Sequence, residues 1–76
     1  MLDPRLAQAI AETFQVPSAG ITEASSPQSI PAWDSLGHLN LVAALEKAFA
    51  VSLTMDEILA MQDAGAIARI LAARST

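Results

Sequence analysis

One serine stands between an acid and a leucine in Trp33-Asp34-Ser35-Leu36-Gly37-His38-Leu39, at the point where a proline-bearing stretch gives way to an apolar run. Two chemistries suit such a serine. With Asp34 and the only histidine, His38, it has the residue types of a nucleophile, base and orienting acid. All three lie within one helical turn, however, and no nucleophile-elbow pattern surrounds the serine. Triads usually draw their members from separate parts of a chain, so this arrangement predicts no hydrolase and no enzyme. The second chemistry is passive. Ser35 falls in the first turn of the following helix, where backbone N–H groups lack partners and the helix dipole is positive. Such a place favours a phosphate group, with the hydroxyl as its acceptor.

The remaining candidates for chemistry are few. Without cysteine there is no disulfide framework, thiolate zinc site or catalytic thiol. A lone histidine builds no metal centre, and Asp56, Glu57 and Asp63 lack the spacing and glycine of a calcium loop. No metal is expected. Asp34, Glu46, Asp56, Glu57 and Asp63 face only Lys47 between positions 34 and 63. They read as caps and solvated charge first, and second as a surface for basic partners. Net charge is −4, and with four basic residues and no basic run a groove for nucleic acid is excluded. No apolar stretch is long enough to span a bilayer, and the N-terminus has no signal pattern, so a cytoplasmic protein is expected.

The elements that position Ser35 follow from the punctuation. Apolar residues make up 53% of the 76 and aromatic ones only 4%, an alanine-rich balance that favours helix over sheet. Asp3 caps a first helix with Pro4 at its first position, and Leu6, Ile10 and Phe14 recur every four residues before it ends near Gln15. A connection of roughly Val16 to Asp34 follows, long enough to require ties, for which Ile21, Ile30 and Trp33 are the candidates. A second helix runs from Ser35 to about Ala50. Its inner stripe is Leu41, Val42, Leu45 and Phe49, with Ala48 beside it, while Leu36, Leu39 and Ala43 fall off that stripe. Thr54 and Glu57 form a capping box for a short helix through Met61. Asp63 caps a last helix that turns Ile67, Ile70 and Leu71 inward. The expected fold is all-α, a small antiparallel four-helix bundle of three long helices and one short, with a long loop between helices 1 and 2. Residues 1–76 read as one domain.

This pattern resembles the acyl carrier protein family over nearly the whole chain. The resemblance rests on Asp34-Ser35-Leu36, on the long loop before it, and on Leu41-Val42-Ala43-Ala44-Leu45-Glu46-Lys47-Ala48-Phe49, which is similar to the family's second helix. Asp63-Ala64-Gly65 is similar to the small-residue opening of its fourth. The family's frequent glycine after the phenylalanine is Ala50 here. The resemblance implies a covalent 4'-phosphopantetheine on Ser35, with Asp34 and Leu36 flanking it, and acyl groups carried as thioesters on that arm. It implies a phosphopantetheinyl transferase and acyl-loading, condensing and off-loading enzymes as partners, with basic or apolar patches that dock on Leu36, Leu39, Ala43, Glu46, Asp56 and Glu57. A monomer is expected. Val42, Leu45, Ile58 and Met61 are the candidates for an acyl pocket, or equally plain core. Gly37, Asn40 and Lys47 stand where the family commonly has acids, which points to polyketide or other specialised acyl metabolism ahead of fatty acid biosynthesis. The alternatives are a peptidyl or aminoacyl carrier and, from another class, an unmodified helical interaction module.

Overall fold

The computed structural model describes residues 2–74. Four α-helices follow one another: α1 (Pro4–Phe14), α2 (Ser35–Phe49), α3 (Met55–Ala60) and α4 (Ala64–Arg74). Each start is built by the residue expected to build it. The Asp3 carboxylate accepts from the Arg5 N–H at 2.8 Å, with Pro4 at the first position. Asp34 accepts from the Gly37 N–H at 2.8 Å, and Asp63 from the Ala66 N–H at 2.7 Å. The Thr54–Glu57 capping box is complete in both directions. Helices α1 and α2 stop at Gln15 and Ala50, where their sequences predicted. Both close on a non-glycine residue in the left-handed region, Gln15 at φ 56° and Ala50 at φ 54°. Each cap N–H bonds back into the last turn, which satisfies a carbonyl that would otherwise be unpaired.

Helices α1 and α2 run antiparallel. Arg5 near the start of α1 lies over the Phe49 ring near the end of α2, 4.8 Å from its centroid, while Phe14 at the end of α1 meets Gly37 at the start of α2. Between them Leu6, Ile10, Leu41 and Leu45 are fully buried, joined by Ile67 of α4. Ala48, beside the inner stripe, is exposed at the edge of the α1 contact, and Ile70 is half-buried against the core.

The long loop is ordered. Ile21, Ile30 and Trp33 are all buried, as the need for ties predicted. A 3-10 turn at Ser18–Gly20 and a chain of turns closed by the Ser25 and Ser29 hydroxyls use up much of its backbone polarity. The loop also holds the start of α4, since the Ala64 and Gly65 N–H groups donate to the Ser25 and Glu23 carbonyls at 2.9 Å each.

Gly37 belongs to this packing and not to the charged surface on which its position was read. A Cβ there would strike the Ala32 backbone oxygen and lie 3.1 Å from the Phe14 ring. Helix propensity alone would make Gly37→Ala stabilising by about 1 kcal/mol. The collision with rigid backbone reverses the sign, at a net cost on the order of 1–3 kcal/mol. Thermal unfolding followed by circular dichroism should therefore show a lower midpoint for Gly37→Ala than for the wild type.

Candidate functional site

Ser35 is the first residue of α2 and is exposed. Asp34 before it has an extended backbone (φ −96°, ψ −167°), which aims its carboxylate back over the helix start. With the Gly37 N–H taken by that carboxylate and the His38 N–H by the Asp34 carbonyl, the Ser35 and Leu36 amides are the open donors of the first turn. The first turn of α2 itself carries no acid, and the neighbouring Asp34 carboxylate is bonded to the Gly37 N–H.

Beside Ser35 opens a groove of about 1000 Å³ between α2, α3 and the loop. Its apolar surface comes from Leu39 of α2, from Met55, Ile58 and Leu59 of α3, and from the buried side chains of Trp33 and Met61. Of the four pocket candidates, Ile58 and Met61 line this groove. Val42 and Leu45 do not; they are closed into the core.

Leu36 and Leu39 are exposed, at 68% and 60% of their full area, and Ala43 is exposed on the same outer side. The acids divide. Asp56 is exposed on the first turn of α3. Glu46 instead accepts from the Leu53 N–H at 2.8 Å, fastening the chain that leaves α2. Glu57 pairs with Arg74 through two hydrogen bonds, and the same guanidinium reaches the Ser52 carbonyl. Glu46 and Glu57 are thus fasteners as well as surface charges.

The Glu57 carboxyl is held down to about 2, first by the Arg74 guanidinium and then by the Thr54 N–H. A depressed carboxylate contributes stability that is present above its ordinary value of 4.5 and is lost as pH falls through about 2. Glu57→Gln is therefore expected to lower the melting temperature at neutral pH. The gap from the wild type should close progressively below about pH 4.5, which a melting series against pH would read.

Two features of the site carry no strong sequence signal. Met55 and Leu59 are 67% and 69% exposed and extend the apolar surface of Leu39 across the groove. Their spacing of four on a capped short helix was the available clue. The second is His38. Its Nδ1 accepts from the Trp33 indole N–H at 2.9 Å and its Nε2 faces the Ile58 carbonyl oxygen at 2.8 Å. The indole and imidazole are nearly coplanar, joined edge to edge with centroids 6.2 Å apart, and the indole stacks on Phe14 at 5.4 Å. With both ring nitrogens engaged elsewhere and Asp34 bonded to Gly37, no base is aimed at Ser35 and the triad arrangement is not formed.

Among the described residues no cluster of three His, Cys, Asp or Glu is placed to hold a metal ion, and no helix is long and apolar enough to cross a membrane. No protein-family model matches the chain, and no curated protein matches it. A solved structure does. The solution structure of a holo acyl carrier protein from Geobacter metallireducens superimposes with a TM-score of 0.80 at 28% identity, over 96% of this chain and 91% of that one. Carrier proteins present groups to enzymes and are not themselves enzymes. The Asp-Ser-Leu pattern at the start of α2, the four-helix fold with its long first loop and this solved structure agree, and the chain is similar to the acyl carrier proteins over nearly its whole length.

Proposed function

We propose that residues 1–76 act as one carrier domain that holds acyl groups as thioesters on a 4'-phosphopantetheine arm joined to Ser35 by a phosphodiester. The observation that carries the reading is the setting of Ser35: exposed, first in α2, with open backbone donors and an apolar groove beside it. These residues fit the arm. A bulky flexible group needs a hydroxyl clear of the core, and its phosphate can use the open backbone donors of the helix start. When bound, the arm supplies the thiol that this cysteine-free chain lacks. The chain's own part is to hold the hydroxyl out, to keep His38 away from it, and to offer surface on either side.

That surface suggests the partners. Leu36, Leu39 and Ala43, with Asp56 beyond the groove, are exposed where an enzyme reaching Ser35 would touch first. A phosphopantetheinyl transferase and the loading, condensing and off-loading enzymes would dock there through apolar contacts ringed by a few basic groups. Glu46 and Glu57 would add long-range attraction while serving as fasteners. The scarcity of acids on α2, where Gly37, Asn40 and Lys47 stand, favours polyketide or other specialised acyl metabolism over fatty acid biosynthesis.

The experiment is intact-mass measurement after co-expression with a phosphopantetheinyl transferase. Gain of the arm's mass supports the carrier, and an unchanged mass would leave an unmodified interaction module. Loading with acyl against aminoacyl donors then separates an acyl carrier from a peptidyl or aminoacyl one.

A further inference from the structure

Helix α3 is the least firmly held element beside Ser35. None of its six residues is buried, and so short a helix does not persist without tertiary support. Part of that support is the half-buried Ile58 against the core, and part is the Glu57–Arg74 pair on the far side. The rest is His38, one turn after Ser35. Because its Nδ1 accepts from the indole N–H, the ring carries its own proton on Nε2 and donates it to the Ile58 carbonyl. The imidazole thus bridges loop, α2 and α3 in a single chain of hydrogen bonds. Its orientation is fixed by the in-plane hydrogen bond from the nearly coplanar indole, against which Phe14 stacks in turn.

Parting α2 from α3 would stretch the Nε2–carbonyl bond before any core side chain was reached. Leu41 and Leu45 are wholly buried and do not line the groove, whose exposed walls are Leu39, Met55 and Leu59. We propose that His38 is a positioning residue that latches α3 to α2 and so keeps an acyl group on Ser35 in the open groove, out of the core beneath it. The proposal rests on the carrier reading for its cargo, while the latch is a property of the bare chain.

Hydrogen exchange on the unmodified protein tests the latch itself. In His38→Ala the α3 amides should exchange about tenfold faster, the scale of one lost hydrogen bond, with the α1 amides unchanged. His38→Gln should restore the wild-type rates, because its side-chain oxygen can accept from the indole and its amide can donate to Ile58. The protein is then given its arm, checked by mass, and loaded with an octanoyl group, and hydroxylamine cleavage of the thioester is timed. Wild type and His38→Gln should be cleaved at the rate of free octanoyl-pantetheine, and His38→Ala several-fold more slowly. Equal α3 exchange in all three proteins would overturn the latch. So would a wild-type thioester already protected, or an Ala-variant thioester as open as the wild type's. If His38→Ala fails to fold, the Gln variant and the wild type decide: loss of slow α3 exchange in Gln, or protection of either thioester, would overturn it. Absence of the arm's mass would count against the carrier reading alone, since the exchange measurement needs no arm.

Discussion

Ser35→Ala is expected to abolish attachment of the arm altogether while leaving the melting curve unchanged. The side chain lies outside the core, and the cap of α2 belongs to Asp34, whose bond to the Gly37 N–H does not involve the serine hydroxyl. Loss of one exposed hydroxyl falls within about 0.5 kcal/mol of neutral. Intact mass after co-expression with the transferase reads the first half and circular dichroism the second. An alanine variant that still gained the arm's mass would place the attachment elsewhere and refute the central assignment. Co-expression of Asp34→Ala should give slower modification and a less stable helix start, by about 1 kcal/mol, because that residue does hold the cap.

The second large effect separates the two faces of α2. Leu45→Ala should cost about 2–5 kcal/mol, because Leu45 is wholly buried in the core and its truncation leaves a cavity there. Small domains are stable by only about 5–15 kcal/mol, so this single change should lower the midpoint of denaturant unfolding severely. Leu39→Asp, six residues earlier, should barely move that midpoint, since Leu39 is 60% exposed. It should instead slow modification or acyl transfer by placing a desolvation cost in the docking surface. Equal unfolding midpoints for the two variants would contradict the placement of these faces. A Leu39→Asp protein modified and loaded at the wild-type rate would remove Leu39 from the docking surface.

The elements of this fold are legible in the sequence because their causes are local. Asp3, Asp34, Thr54 and Asp63 each cap the helix they precede through bonds spanning two or three residues, and the four-residue recurrence of Leu6, Ile10 and Phe14 needs no distant partner. The ties in the loop were legible for a different reason: a stretch of that length must be held, and Ile21, Ile30 and Trp33 were its large apolar residues. What could not be read depends on partners far along the chain. His38 finds Ile58 twenty positions away, Glu57 finds Arg74 seventeen away, and Gly37 is small because Ala32 and Phe14 crowd it. Periodicity also has limited angular resolution. It placed Leu41, Val42 and Leu45 inside and Leu36, Leu39 and Ala43 outside, but it could not say how far the edge residues Ala48 and Phe49 would be covered.

The two left-handed helix stops at Gln15 and Ala50 bear on how this chain could change. An L-residue in that conformation carries about 1–2 kcal/mol of backbone strain that glycine does not. Both stops exist because the cap N–H bonds are satisfied there, not because the residue type suits the angle. Glycine at either place keeps those bonds and relieves the strain, offset in part by the greater freedom it gives the unfolded chain. Positions 15 and 50 are thus where second-site suppressors of a weakened core would arise, since neither lines the groove.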